Sequence, residues 1–182
     1  EKYLADYPDM KIHIEGGELQ GYFDLTRGMT NEDWMLLREK LLDKSNIVNM
    51  KGEHIVHVMR NDLVQSALAE SNNEMEGLVR VWSKIVQCEE ELMGFKDELE
   101  GRFRNIWNAF SINHSYMYAT TYGTYYSDGT LSTVLNYNTL TTTGGAIWGP
   151  SHEIGHNHQA SINVVGATEV SNNLFSNVNT YL

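Results

Sequence analysis

One long amphipathic stretch constrains the fold more than any other feature of the sequence. From Met75 to Met93, apolar residues recur every three or four positions, and only Glu89 interrupts them. This period of about 3.6 residues predicts a long helix with one apolar face, and Gly94 is a typical helix stop. Any fold proposed for this chain must therefore include this helix.

A change in composition near Gly101 separates an acidic, helix-rich first part from a second part that favours strands. Residues 106–143 are rich in Thr, Tyr, Ser and Asn and carry almost no charge, which is typical of strands and loops. We predict strands, in chain order, at His54–Met59, Ile106–Ile112, Tyr116–Thr121 and Leu131–Tyr137. The dipeptide Asp128-Gly129 is the clearest turn signal in this region.

Local signals predict the remaining elements. The pattern from Ile12 to Phe23 suggests a short hairpin, followed by a turn at Arg27-Gly28. Further helices are predicted from a capping box at Thr30 and Asp33 to about Lys44, at Asp62–Glu70, from Pro150 to His158 and from about Thr168. Together these elements predict an α+β fold in which a mixed or antiparallel sheet packs against the helix that contains His158.

Length and charge narrow the class of protein. With 182 residues, the chain is long enough for one domain. Its formal net charge of −11 repels phosphate backbones, so no nucleic-acid partner is expected. No apolar run is long enough to span a bilayer, and no signal peptide is present at Glu1. The single cysteine, Cys88, excludes an internal disulfide and is expected to be a buried thiol.

The strongest chemical signal is the sequence His152-Glu153-Ile154-Gly155-His156. Two histidines four apart on a helix lie about 6 Å from each other on one face, so both imidazoles can reach one metal ion. Glu153 projects beside that ion, where its carboxylate can accept a proton from water. This pattern predicts a metal site with Glu153 as general base. Gly155 costs about 1 kcal/mol of helix propensity relative to alanine, which suggests that another backbone packs closely there.

A catalytic zinc ion requires a third protein ligand and one open position for water. We predict Glu169 as this ligand, because it lies 13 residues after His156 at the start of the next predicted helix. His158 is the alternative, but it sits about 200° around the helix from His156 and should point elsewhere. Asn173 and Gln159 are candidates to orient a ligand, and a surface or capping role is the alternative for each. Trp148 is a candidate to line the cleft, and packing in the core is its alternative.

The proposed ligand set defines a reaction class. A zinc ion held by two imidazoles and one carboxylate lowers the pKa of bound water toward neutrality and polarises a carbonyl group. Glu153 would pass the proton from water to a leaving amine, which gives amide hydrolysis. A donor to the oxyanion is also needed, and residue spacing selects none.

Two further features bear on substrate binding. Leu131–Tyr137 is the expected edge strand of the sheet, where an extended substrate could pair. The tyrosines from Tyr116 to Tyr126 are compatible with a stacking platform for sugar rings, although cross-strand packing is the commoner use of such residues.

Several stretches of the sequence resemble one known family. The stretches that carry the resemblance are Trp148–Gln159, Thr168–Asn173, Gly21–Gly28 and Glu90–Gly94. They are similar to the enhancin-like zinc metallopeptidases, peptidase family M-sixty, and the resemblance extends over most of the chain. It implies a zincin-like catalytic domain of the gluzincin type, with metal ligands His152, His156 and Glu169 and catalytic Glu153.

The resemblance also implies a substrate class and a location. Enzymes of this family act on mucins and other O-glycosylated proteins and are secreted or held at the cell surface. We therefore expect a zinc-dependent endopeptidase with one zinc ion per chain, a glycoprotein substrate and an extracellular location. Two alternatives stay open: a non-catalytic glycoprotein- or glycan-binding domain with a structural zinc, and a zinc amidase acting on cell-wall peptides.

The resemblance further predicts how the chain is organised. Domains of the family continue through further helices beyond the point that corresponds to residue 182, so we expect residues 1–182 to be a single, partial catalytic domain. Within it, residues 1–145 would form the sheet and its helices, and residues 146–182 would form the metal-binding helices.

Overall fold

The computed structural model describes most of the chain. The described residues are 13, 15–17, 20–41, 45–94, 107–114, 116–159 and 162–181. The helices are α1 (Asn31–Leu41), α2 (Asn61–Ala69), α3 (Met75–Leu92), α4 (Asp128–Val134), α5 (Tyr137–Thr142), α6 (Gly144–His158) and α7 (Thr168–Asn179). The strands are β1 (Gly21–Asp24), β2 (Ile47–Lys51), β3 (Ile55–Arg60), β4 (Trp107–Ile112), β5 (Met117–Thr120) and β6 (Gly123–Ser127).

Within these described ranges, the six strands form one mixed sheet in the order β1-β2-β3-β4-β6-β5. Strand β1 runs parallel to β2, β3 runs parallel to β4, and β4 runs parallel to β6. The pairs β2–β3 and β5–β6 are antiparallel. The predicted α+β fold with a mixed sheet is therefore confirmed, and β5 is one of the two edge strands.

One face of the sheet carries the hydrophobic core. The buried apolar strand residues on this face are Phe23, Val48, Met50, Ile55, Met59, Ala109 and Tyr126. They join buried residues of α1, α2, α3, α4 and α6 in one cluster. The alternate residues, which point to the opposite face, include the partly exposed Asn49, Val58, Phe110, Tyr118 and Tyr125. The sheet therefore has one covered face and one more exposed face.

The long predicted helix is confirmed as α3. The Glu74 side chain accepts a hydrogen bond from Gly77 N (3.0 Å) at its start, and Gly94, with a φ of 74°, follows its end. Glu89, which interrupts the apolar stripe, is itself fully buried. The predicted elements that correspond to α1, α2, α7, β3, β4 and β5 are also present, with small shifts at their ends; residues 42–44 and 106 lie outside the described residues.

The strand predicted at Leu131–Tyr137 is wrong, because this segment forms the end of α4 and the beginning of α5. Leu131, Val134 and Leu135 are all fully buried, and their spacing places them on one face of a helix rather than of a strand. The Thr, Val and Tyr residues of this segment favour a strand by propensity alone. Burial of the helical face outweighs that propensity.

The start of α6 also differs from the prediction. The helix begins at Gly144, so Pro150 lies inside it rather than in its first turn. Proline has no backbone N–H, and the helix therefore loses one hydrogen bond to the preceding turn at this position. Ala146, Ile147 and Ile154 on the same helix are buried, and their packing offsets this loss.

Three further points complete the comparison with the predicted elements. Strands β2 and β6 have no counterpart among the predicted strands. Strand β1 corresponds to the end of the predicted hairpin but pairs with β2, while Ile12 and Ile14 lie outside the described residues. Asp128-Gly129 begins α4 instead of forming a turn. No helix among the described residues is long and apolar enough to cross a membrane.

Candidate metal centre

Helices α6 and α7 cross closely, and the crossing brings the predicted ligands together. Gly155 lies at the contact, where a Cβ atom would come within 2.7 Å of both Asn172 Oδ1 and Phe175 Cδ2. Asn172 also donates from Nδ2 to the carbonyl oxygen of His152 (2.5 Å). The close approach predicted at Gly155 is present, but the side chains of α7 make it rather than a backbone.

Three side chains from these two helices converge at one point. His152 Nε2 lies 2.9 Å from Glu169 Oε2, and His156 Nε2 lies 3.3 Å from the same oxygen. The potential ligand atoms of the three residues lie within 4.8 Å of one another. Two imidazole nitrogens and one carboxylate oxygen are the donors of a common type of catalytic zinc site, in which a further position stays open.

Two amide side chains contact the Nδ1 atoms of the two imidazole rings, and Nε2 of each ring faces Glu169. His152 Nδ1 lies 3.0 Å from Asn173 Oδ1, and His156 Nδ1 lies 2.7 Å from Gln159 Oε1. Gln159 is fixed in turn, because its Nε2 donates to the carbonyl oxygen of Thr168 (3.1 Å). An imidazole that donates its Nδ1–H to an amide oxygen carries a lone pair on Nε2, which is the form that binds a metal.

The two carboxylates near the cluster differ in their surroundings. Burial raises the pKa of Glu153, although the neighbouring His152 and His156 oppose this shift. The neighbouring His152 side chain, whose Nε2 lies 2.9 Å from Glu169 Oε2, is the main cause of the lowered pKa of Glu169, whose side chain is 73% exposed. A carboxylate with a raised pKa is the better proton acceptor, so Glu153 is better suited than Glu169 to act as a base.

A cavity of about 630 Å³ opens beside the cluster, between β5 and the two helices. Its lining includes Glu153, Glu169 and all four residues of β5. Strand β5 can lie this close to α6 because Gly149 has no side chain: a Cβ atom there would be 2.6 Å from Met117 Sδ. The lining does not include Trp148, whose exposed fraction is 36%.

The backbone of β5 offers hydrogen-bonding groups at this edge. Ser127 N donates to the carbonyl oxygen of Tyr116 (3.0 Å), so these two residues form a hydrogen-bonded pair next to β5. Such pairs alternate along an antiparallel ladder. The N–H and C=O groups of Met117 and Ala119 therefore point away from β6, toward the open edge. The edge strand at the metal centre is thus β5, and not the predicted Leu131–Tyr137.

A family model described as "Peptidase M60, enhancin and enhancin-like" matches residues 22–182, which include both helices of the cluster. This chain belongs to that family. No curated protein matches this enhancin-like chain significantly.

Solved structures resemble this enhancin-like chain over most of its length. A metallopeptidase in complex with Tn antigen is 34% identical, with a TM-score of 0.78, over 88% of this chain and 29% of that one. A metallopeptidase from Bacteroides thetaiotaomicron is 32% identical, with a TM-score of 0.74, over 88% of this chain and 26% of that one. A catalytic domain from Clostridium perfringens ZmpC, in complex with the sialyl T antigen, is 18% identical, with a TM-score of 0.66, over 89% of this chain and 32% of that one. At this identity the likeness shows the fold alone. The chain therefore spans less than a third of the first two proteins.

In this enhancin-like chain, His158 points away from the cluster. It is buried, with Nδ1 at 2.8 Å from Glu89 Oε2, and Trp107 Nε1 lies 2.8 Å from its Nε2. Because an indole N–H can only donate, His158 Nε2 is the acceptor and its Nδ1–H is donated to Glu89. Burial lowers the pKa of His158 to about 4, which keeps the ring neutral at neutral pH. His158, the alternative third ligand, is therefore hydrogen-bonded to Glu89 and Trp107 and lies away from the cluster.

Glu89 is a buried acidic residue within the apolar stripe of α3. The sequence shows this position but gives no reason for a glutamate there. Its second oxygen accepts a hydrogen bond from Asn179 Nδ2 (3.1 Å), so Glu89 connects α3 to the C-terminal ends of α6 and α7. Burial raises its pKa well above the usual range of a glutamate. Its position within the apolar stripe of α3 was the signal in the sequence, but the sequence does not show which partners it meets.

Proposed function

We propose that this chain is part of the catalytic domain of a secreted zinc-dependent endopeptidase that hydrolyses peptide bonds in mucin-like or other O-glycosylated proteins. The observation that carries the proposal is the convergence of His152, His156 and Glu169, with Glu153 in the same cavity. Membership of the peptidase family supports it. In this proposal, residues 1–182 are a single, partial catalytic domain, in which residues 146–182 supply the metal-binding helices and residues 1–145 supply the sheet and the other helices.

One zinc ion per chain is the proposed cofactor, with His152, His156 and Glu169 as its ligands. The donor set suits zinc, and the Nδ1 contacts of both imidazoles leave their Nε2 atoms directed at Glu169. When bound, the ion supplies Lewis-acid activation of a water molecule and of the substrate carbonyl group.

The residues of the chain perform the remaining steps. Glu153 accepts a proton from water on its carboxylate and delivers it to the leaving amine. Its partly buried position raises its pKa and so favours proton uptake. Asn173 and Gln159 keep the two imidazole rings oriented throughout.

The edge of β5 is the proposed binding site for the substrate backbone. An extended peptide can add to this edge as a further strand, because Met117 and Ala119 present N–H and C=O groups there. The same strand lines the cavity that contains Glu153. Backbone pairing would therefore carry the peptide past the metal centre.

The substrate class and the location are proposed from the relatives. One metallopeptidase that is 34% identical to the chain was solved in complex with Tn antigen, which supports a glycoprotein substrate here. Secretion or attachment to the cell surface is proposed from the family resemblance and agrees with a substrate of this kind.

The decisive experiment compares the wild-type chain with Glu153→Gln. The amide preserves the shape of the side chain but cannot accept the proton, so we expect about one zinc per chain in both proteins by elemental analysis. Cleavage of a mucin-type glycoprotein should fall by about 10²- to 10⁴-fold in the variant and disappear from the wild type with a chelator. Parent-rate cleavage by Glu153→Gln would show that the mechanism is wrong.

Parallel assays separate the alternative functions. Release of peptide from purified peptidoglycan, with no product from mucin, would indicate a zinc amidase. Binding of mucin by the zinc-loaded wild type, with no product from either substrate, would indicate a glycan-binding domain.

A further inference from the structure

Two histidines in the last turn of α6 point to different sides of the helix. His156 faces the metal centre, whereas His158 is buried in the core. The ring of His158 is held at both nitrogens: Nδ1 lies 2.8 Å from Glu89 Oε2, and Nε2 accepts a hydrogen bond from Trp107 Nε1 (2.8 Å). Because residues two apart on a helix are separated by about 200°, any rotation of this helix end that moved His158 would also move His156.

Glu89 contacts the second metal-binding helix as well. Its other oxygen, Oε1, accepts a hydrogen bond from Asn179 Nδ2 (3.1 Å) at the end of α7. The side chains of Glu89, His158 and Asn179 are all buried, so one carboxylate of α3 joins the ends of α6 and α7 inside the core. Asn179 lies ten positions after Glu169 on α7, about 15 Å along the helix.

The place of this contact gives it control over the angle between the two helices. Helices α6 and α7 touch at Gly155, where an added Cβ atom would meet Asn172 and Phe175 of α7. These two residues lie between Glu169 and Asn179, so a tilt of α7 about the crossing moves its two ends in opposite directions. A displacement at Asn179 therefore produces one of similar size at Glu169, and a metal site accepts errors of only about 0.2 Å in ligand distance.

We propose that Glu89 is a positioning residue that fixes the angle between α6 and α7, and thereby the distance from the Glu169 carboxylate to the two imidazoles of the metal centre. It acts through His158 on one helix and Asn179 on the other. Glu89 itself is not part of the lining of the metal-centre cavity. The inference rests on the zinc ligation that belongs to the proposed function.

Stability alone does not account for a glutamate at this position. Ile85 and Val86, on the same helix, are apolar and fully buried, and an apolar side chain in place of Glu89 would extend this packing. Replacing buried, paired polar groups by apolar residues of similar volume is often neutral or stabilising. Apolar contacts have no direction, whereas hydrogen bonds to donors on two different helices fix the orientation of both. The glutamate therefore contributes geometry that an apolar residue could not.

Zinc affinity and the visible absorption of the cobalt(II)-loaded protein test this proposal without a measurement of activity. Glu89→Leu removes both hydrogen bonds, so it should raise the Kd for zinc about tenfold or more and change the cobalt absorption, which depends on ligand geometry. Glu89→Gln should keep both readouts of the wild type. Its amide oxygen can accept from His158, and its N–H group can donate to Asn179 Oδ1 once that amide turns over; this oxygen has no hydrogen-bond partner among the described residues.

A matched control separates positioning from a general loss of stability. Val64 is fully buried in α2, a helix that makes none of these contacts, so Val64→Ala should lower the urea midpoint but keep the zinc affinity and the cobalt absorption of the wild type. Asn179→Ala removes only the hydrogen bond to α7 and should raise the Kd for zinc as Glu89→Leu does. This variant decides the question should Glu89→Leu fail to fold.

Three results would overturn the proposal. They are a zinc Kd for Glu89→Leu or Asn179→Ala no higher than that of Val64→Ala, a change in Glu89→Gln as large as that in Glu89→Leu, and an absence of zinc binding by the wild type. Cleavage of a mucin-type glycoprotein is measured separately. If the wild type cuts nothing while Glu89→Leu still binds zinc more weakly than Val64→Ala, the proposed function fails and the positioning role stands.

Discussion

Replacing Gly155 by alanine tests whether the crossing of α6 and α7 sets the geometry of the metal centre. The added Cβ atom would lie 2.7 Å from Asn172 Oδ1 and from Phe175 Cδ2, and 3.0 Å from Phe175 Cβ, whereas ordinary contact begins at 3.4 Å. The shortfall is therefore roughly 0.4 to 0.7 Å. Because the Phe175 Cβ atom is fixed to the helix backbone, α7 must move away from α6 by several tenths of an ångström.

Two opposing effects determine the stability of Gly155→Ala. Helix propensity favours alanine by about 1 kcal/mol, and overpacking costs about 1 to 3 kcal/mol. We expect a net decrease of up to about 2 kcal/mol in the free energy of unfolding. Glu169 would move with α7, and a metal site accepts errors of only about 0.2 Å in ligand distance. The Kd for zinc should therefore rise about tenfold or more.

The measurements are urea-induced unfolding and zinc titration against a competing chelator. Gly145→Ala is the matched control, because it lies on the same helix and an added Cβ there has no neighbour within 4 Å. This control should keep the zinc affinity of the parent and lose no stability. If Gly155→Ala binds zinc as tightly as Gly145→Ala, the crossing does not set the position of Glu169 and the reasoning is refuted.

Three other substitutions give separate predictions. Asn173→Ala removes the partner of His152 Nδ1 and should weaken zinc binding by about 10- to 100-fold in the same titration. Glu89→Ala leaves the buried His158 Nδ1–H and Asn179 amide without their acceptor; chemical denaturation should show a loss of about 1 to 3 kcal/mol or more, and an unchanged midpoint would contradict this. Burial lowers the pKa of His57 from 6.5 to about 3. As the pH falls, His57 is therefore protonated in the unfolded chain before it is protonated in the folded chain. The stability conferred by a neutral His57 is complete above about pH 6.5 and is lost toward pH 3, by up to about 1.4 kcal/mol per pH unit; His57→Leu should remove that part of the slope in acid unfolding, and an identical slope would count against it.

Local patterns predicted much of this fold because the relevant physics is local. The 3.6-residue period specifies α3, and the pair of Thr30 and Asp33 forms the expected hydrogen bonds at the start of α1. The convergence of His152, His156 and Glu169 also follows from helix spacing and a short connection. Their proposed roles as zinc ligands stay a prediction, with geometry that agrees.

The features that were missed depend on contacts between distant parts of the chain. Propensity favours a strand at Leu131–Tyr137, but only the core shows that these residues bury a helical face. No local pattern indicates which strand is at an edge of the sheet, and so the position of β5 beside the metal centre was not foreseen. The partners of Glu89 lie 69 and 90 positions away in sequence, beyond the range of any periodic pattern.

The four residues proposed for the chemistry lie in the consecutive helices α6 and α7, whereas one wall of the cavity comes from the earlier strand β5. If the proposed function holds, the hydrolytic residues and the strand edge that would pair with the substrate are therefore encoded in separate segments. Under that proposal, exchange of the segment 116–127 for that of a relative would change which polypeptides bind and would leave the proposed metal ligands and general base unchanged.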